Sequence, residues 1–312
     1  MYFTGIRRIK YTMRKIIRLA LALLCLCAVV GGVIIGIAGT GEGKSDEGGV
    51  EVVTLWQVDS FEGGKGSRAE YLRSLSNEFG RINGVYFNVA SLTPEAAEYN
   101  IEAGNIADII SFGAGSAFPM GIAEEGSAEV WCNGAYCILT LNGDFTDITA
   151  ENTVVNEGKE NLSSVAAALS GLSAAKVQTS VSAYLSLLDG KFKYLLGTQR
   201  DIVRLQIRGA SFKVLPVSAF NDLYQYISVT RTAANKEICN RFIDYVLERS
   251  SGLGKLCMFH DGLKLYSDEL GGLENIKFEY GVPAVAGKEW RASVLSAAQT
   301  NTELLKSLLK QL

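Results

Sequence analysis

The chain carries a single histidine, His260, in 312 residues. It lies in a Phe259-His260-Asp261-Gly262 turn with no evident serine partner, so a histidine relay and an imidazole-rich metal site both lack their donors. There is no Gly-x-Ser-x-Gly nucleophile elbow, since Gly113-Ala114-Gly115-Ser116 has the wrong spacing. No two carboxylates stand out as an acid and base pair. Internal repeats are absent, and residues 40–49 form the sole low-complexity block. Cysteine is sparse: beyond Cys25 and Cys27 in an apolar run, Cys132, Cys137, Cys239 and Cys257 remain. Cys132 and Cys137 flank Asn133-Gly134, a two-residue hairpin signal, and in that register their sulfurs do not face each other. The expectation is buried free thiols. No catalytic residue, cofactor or metal ligand is assigned, and nothing demands an enzyme.

What is present begins at the N-terminus. Arg7, Arg8, Lys10, Arg14, Lys15 and Arg18 occur without an acidic residue among them. Residues 19–38 then contain no charge, a run of about 30 Å as a helix and so the thickness of a bilayer core. Residues 1–15 are expected to be a basic cytoplasmic head and residues 16–39 a transmembrane anchor or signal segment. Cys25 follows Leu24, which does not suit a lipoprotein site. Residues 38–45 (AGTGEGKS) match a relaxed phosphate-loop pattern, with Gly43, Lys44 and Ser45 in register. A phosphate loop needs a helix to start at the lysine, whereas Asp46-Glu47-Gly48-Gly49 follows, so residues 40–49 are expected to be a linker. The remaining residues, 50–312, hold 23 Lys/Arg against 30 Asp/Glu, a net charge of −7 that argues against a nucleic-acid partner.

From Val50 the pattern alternates strand and helix. Residues 51–57 (EVVTLWQ) suit a buried strand, and Leu72, Leu75, Phe79 and Ile82 follow at helical spacing after a Ser67–Glu70 capping box. Val85, Phe87 and Val89 alternate as a strand, Thr93-Pro94 opens a helix that Gly104 ends, and residues 107–112 are a short apolar strand. Helix-separated strands imply a parallel sheet with helical cover, an α/β fold. Residues 131–141, 191–197, 213–216 and 225–230 look extended. Leu162, Val165, Leu169 and Leu172 mark one later helix, and Ile238, Phe242, Tyr245 and Val246 another. The tail finishes on Leu304, Leu305, Leu308 and Leu309.

Four segments carry a family resemblance. Residues 51–68 (EVVTLWQVDSFEGGKGSR), 107–115 (ADIISFGAG, with Ala107 where proline is usual), 190–204 (GKFKYLLGTQRDIVR) and 225–247 (QYISVTRTAANKEICNRFIDYVL) resemble, in order, bacterial extracellular solute-binding proteins of ABC transporters, family 1, of the maltose-binding type. The resemblance implies a two-lobed periplasmic-binding-protein-like α/β fold with hinge strands near residues 131–137 and 216–226. Residues 50–130 and 226–262 would form lobe 1, and residues 131–225 and 263–312 lobe 2. It further implies reversible binding of a small solute, plausibly a sugar, and delivery to ABC permease subunits on the outer side of the cell membrane. A membrane-tethered ligand sensor or accessory surface protein is the alternative, and an exported hydrolase a third. Ligands of open α/β sheets sit beyond the carboxyl ends of strands. Trp56, Asp59, Ser60, Ser111 and Gly113 in one lobe and Gln199, Arg200 and Tyr226 across from them are therefore the candidate ligand-binding residues.

Overall fold

The computed structural model describes residues 51–58, 68–119, 121–157, 162–251 and 276–311. The basic head, the apolar run, the linker with Lys44, and Asp59, Ser60, Cys257 and His260 all lie outside the described residues. Residues 50–312 form one compact unit. Among the described residues no helix is long and apolar enough to cross a membrane.

The first sheet starts with β1 (Glu51–Val58), which runs parallel to β2 (Val85–Leu92) over its whole length, from Glu51 opposite Val85 to Val58 opposite Leu92. β3 (Ile109–Gly113) lies parallel on the other side of β1. Helix α1 (Arg68–Asn83) joins β1 to β2, and α2 (Pro94–Glu102) joins β2 to β3. Thr93 caps α2 by accepting the Ala96 N–H, and proline at its first position has no N–H to leave unpaired. β4 (Glu129–Asn133) and the returning strand β11 (Tyr224–Val229) complete the order β2-β1-β3-β11-β4, with β11 antiparallel to both neighbours.

The second sheet has the order β7-β6-β8-β5-β9. Its strands are β5 (Tyr136–Thr140), β6 (Thr153–Glu157), β7 (Lys176–Thr179), β8 (Tyr194–Thr198) and β9 (Lys213–Pro216). Three parallel strands, β7, β6 and β8, again meet a strand arriving from the other lobe, β5, which pairs antiparallel with β8 and β9. The two sheets thus share one plan. Helices α3 (Ser163–Leu169), α4 (Ser180–Leu188) and α5 (Gln199–Ile207) follow β6, β7 and β8. α5 starts on a capping box, with the Thr198 hydroxyl accepting the Arg200 N–H and Asp201 Oδ2 accepting the Thr198 N–H. A small third sheet brings β10 (Phe220–Asn221) beside β12 (Tyr280–Gly281) and β13 (Lys310–Gln311).

Each large sheet is covered on both faces. On the first, Leu72, Leu75 and Phe79 of α1 and Phe242 and Val246 of α6 (Lys236–Ser251) bury against Val53, Leu55, Ile109 and Ile227. Phe79 meets Phe87 and Phe242 edge-on, with centroids 5.9 and 5.4 Å away. Ile82 continues the helical spacing but is 66% exposed. The opposite face packs Ile110 and Phe112 on Ala97 and Phe118. On the second sheet, α4 and α5 cover Leu139, Val154 and Leu195. The other face packs on α3, α7 (Lys288–Thr300) and α8 (Thr302–Leu308).

The hairpin expected around Asn133-Gly134 does not form. β4 pairs with β11 and β5 with β8 and β9, so Asn133 and Gly134 carry the chain from one sheet to the other. The reason is burial: Trp131 and Cys132 enter the first core, while Ala135 and Cys137 enter one of the second. A two-stranded ribbon would leave one face of each strand in water. Cys132, Cys137 and Cys239 are buried thiols outside any disulfide, and Cys132 Sγ accepts from Arg68 Nε at 2.8 Å.

Candidate functional site

Two connections between the sheets run side by side. Asn221 Nδ2 donates to the Gly134 carbonyl at 3.0 Å, and the Gly134 N–H donates back to the Leu223 carbonyl. A third segment, residues 283–286, closes against the end of β3. The Gly115 N–H lies 2.9 Å from the Pro283 oxygen, and the Ala286 N–H donates to the Ser116 oxygen at 3.2 Å. Gly115 has φ +71°, a conformation that glycine adopts without strain and that lets the chain turn between Trp290 and Val282.

Beyond this turn is a cavity of about 240 Å³. Its walls are the first turns of α2, with Pro94, Glu95 and Glu98, residues 114–118 after β3, and the start of α7, with Lys288 and Arg291. Lys288 and Glu98 form an ion pair at 2.9 Å across it. The N-cap of α7 is Gly287, which supplies no side-chain acceptor for the helix's first N–H groups. Behind Arg291 lies a fully buried pair. The Tyr136 hydroxyl donates to Asp222 Oδ1 at 2.7 Å, and the Leu162 N–H donates to Asp222 Oδ2 at the same distance. Burial pushes both groups above their ordinary pKa values, Asp222 most simply by desolvation and Tyr136 by desolvation and then the Asp222 charge. The Arg291 charge opposes both shifts.

The residues singled out in the sequence fall in several environments. Trp56 and Tyr226 are half-buried on the same face of the first sheet, where Tyr226 stacks on Phe112 with centroids 5.8 Å apart. Ser111 and Gly113 are fully buried in β3. Ser111 Oγ accepts the Trp131 indole N–H at 2.9 Å and the Gln225 amide at 3.1 Å. Gln199 is buried, and its Oε1 accepts the Ala135 N–H at 2.9 Å. Arg200 is half-buried in the first turn of α5. The structure brings Trp56 and Tyr226 into one cluster; it places Ser111 and Gln199 within the strands and crossings that support the site. Glu95, Glu98, Lys288 and Arg291 were not singled out. Their signal in sequence is slight: Glu95 and Glu98 follow a recognisable Thr93-Pro94 start, while α7 starts after Gly287 without a side-chain cap.

Among the described residues no group of three or more His, Cys, Asp or Glu could hold a metal ion. The arrangement of charges around a small cavity suits noncovalent binding. No protein-family model matches the sequence, and no curated protein does. Solved structures do. An ABC transporter from Clostridium perfringens is 12% identical with a TM-score of 0.54, over 83% of this chain and 100% of that one. A GABA receptor is 10% identical with a TM-score of 0.51, over 83% and 96%. The periplasmic molybdate-binding protein of Azotobacter vinelandii is 12% identical with a TM-score of 0.39, over 64% and 97%. The chain has a periplasmic-binding-protein-like fold. Its two five-stranded sheets share one plan, and the crossings between them at Gly134 and Leu223 are hydrogen-bonded to each other.

Proposed function

We propose that this chain is the solute-binding component of an ABC importer, taking up a small solute reversibly between its two lobes. The observation that supports this reading is the charged cavity lined by the start of α2, which packs on the first sheet, and the start of α7, which packs on the second. Its volume is below the roughly 300–1,000 Å³ usual for drug-sized ligands, so it suits a smaller solute. The fold adds support, since ligands of such sheets lie beyond strand carboxyl ends. Residues 16–39 would hold the body at the membrane on its outer side, and the loaded form would meet permease subunits there. Lobe boundaries at residues 50–130 with 226–262, and 131–225 with 263–312, complete the proposal. Trp56, Asp59, Ser60, Ser111, Gly113, Gln199, Arg200 and Tyr226 remain the ligand-binding residues proposed from sequence, and none of those among the described residues lines this cavity. A sugar is the ligand that the sequence resemblance implies.

The test is a thermal-shift screen of the full chain in detergent against sugars, amino acids, polyols and oxyanions, followed by calorimetry. A ligand that binds only the folded state raises the melting temperature, by an increment that grows with its concentration. Saturable binding by a compound of one class supports the reading. Its absence across all four classes, together with failure of protease added outside intact cells to reach residues 50–312, would sink it.

A further inference from the structure

We propose that residues 283–288 are a clasp that seats the second lobe on the first and has to come off before solute can enter the cavity. This role rests on the solute-binding reading above and adds how entry to the same site is regulated. The segment is an excursion, not a crossing. Before it, β12 pairs with β10 and β13, and Val282 is buried in the second-sheet core. After it, Trp290 packs on that same core, and its indole N–H donates to the Leu308 carbonyl at 3.0 Å. Between these two anchors the chain bonds to the first lobe. The Gly115 N–H donates to the Pro283 and Ala284 carbonyls, at 2.9 and 3.0 Å, and the Ala286 N–H donates to the Ser116 carbonyl at 3.2 Å. Val285 bridges to Ser116 and packs against the Ile110 and Phe112 core of the first sheet. Lys288 then reaches Glu98 of α2 at 2.9 Å.

What meets across this contact is small. One side reads Ala114-Gly115-Ser116-Ala117 and the other Pro283-Ala284-Val285-Ala286-Gly287. Val285 is the bulkiest aliphatic side chain among them, and it is only half-buried, so parting the two segments exposes little apolar surface. The backbone groups set free would pair with water, which makes the net loss per hydrogen bond modest. The Lys288 side chain is 75% exposed, so its ion pair with Glu98 is weak and screened by salt. A contact built this way opens locally while the cores on either side stay folded. The crossings at Gly134 and Leu223 differ, because there the chain itself runs from one sheet to the other. The clasp also stands at the entrance that matters. Ala114, Gly115 and Ser116 on its seat and Ala286, Gly287 and Lys288 on the clasp all border the cavity, so the seated clasp is one of its walls.

The experiment is amide-resolved hydrogen exchange on the full chain in detergent, with no solute added. The Gly115 and Ala286 amides report the clasp, and the Gly134 amide, bonded to the Leu223 carbonyl, reports the crossing. Gly115 and Ala286 should be protected at least about 10-fold less than Gly134. Glu98→Gln, Lys288→Gln and about 0.5 M sodium chloride should each speed exchange at Gly115 and Ala286 by about 2- to 5-fold, as loss of an exposed ion pair would, and leave Gly134 unchanged. A second measurement reads the cavity itself. Ala114→Cys places a thiol on its wall, and labelling of that peptide by methyl methanethiosulfonate should speed up by the same factor when Glu98→Gln is added. Protection of Gly115 and Ala286 equal to that of Gly134, with no response to salt or to either variant, overturns the inference and leaves the solute-binding reading standing. Faster exchange at Gly134 as well would mean general loosening rather than a clasp, which also overturns it. Faster exchange at Gly115 and Ala286 with unchanged labelling at position 114 shows that the clasp does not control entry, and the inference fails there too.

Discussion

The side-chain carbonyl of Gln199, at the start of α5, accepts the backbone N–H of Ala135, 64 residues earlier, at 2.9 Å. Gln199 is thereby tied to the strand that has just left the first sheet, and a Cβ at the neighbouring Gly134 would sit 2.5 Å from its Nε2. Gly134→Ala should therefore push the amide away and weaken the crossing, at a cost of about 1–3 kcal/mol. Gln199→Ala should cost about as much, by leaving a buried N–H without that acceptor. The double variant should lose less than the two added together, with a coupling of about 0.5–3 kcal/mol measured by urea unfolding. Strict additivity would show that Gly134 is not packed against this amide.

Ser111 offers a way to separate support from contact. Its hydroxyl accepts from both Trp131 and Gln225 inside the sheet. Ser111→Ala should lower stability by about 1–3 kcal/mol and shift the Trp131 emission, while solute affinity changes little. A large loss of affinity with unchanged unfolding would instead make Ser111 a ligand contact.

The buried Asp222 predicts a pH dependence. Its folded pKa is raised, chiefly by burial, so the folded chain holds that proton to higher pH than the unfolded chain does. Its contribution to stability therefore falls as pH rises from the ordinary value near about 3.9 to the raised one. Urea unfolding of wild type and Asp222→Asn across this range should show the extra downward slope in the wild type alone. Asp201, also raised by burial, acts the same way in both proteins and drops out of the difference. Parallel stability curves would contradict this account.

The thiols should be silent in the native protein. Burial, with a smaller contribution from Asp201, pushes Cys137 well above its ordinary range. Burial, then Asp108 and Glu51, pushes Cys239 up to about 12. At pH 8 both stay protonated and shielded, so iodoacetamide should label neither until the chain is denatured. Cys132, Cys137 and Cys239 should then all react without a reductant, as free cysteines do. Any that needs prior reduction would reveal a disulfide.

Much of the first lobe was legible because its signals are local. Leu72, Leu75 and Phe79 at helical spacing, the alternation of Val85 and Phe87, and Thr93-Pro94 each announce an element within a few residues. The second lobe was harder. Val154 and Val155 of β6 are both buried, so the strand shows no alternation, and α4 exposes Val181 and Leu185 where a helix face would be expected to be polar. The extended stretch 191–197 was legible, but that a helix starts directly after it depends on Thr198 and Asp201 capping one another.

By itself the sequence determined the α/β class and the strand and helix order of the first lobe, because short-range periodicity settles both. Only the tertiary structure decided that Asn133-Gly134 crosses between sheets rather than turning back. A two-residue turn signal constrains the local backbone, whereas the choice of partner strand depends on which core can bury Trp131 on one side and Cys137 on the other. The cavity is likewise a tertiary fact. Glu98 and Lys288 are 190 residues apart, and they face each other because α2 and α7 both begin beside the turn that follows β3.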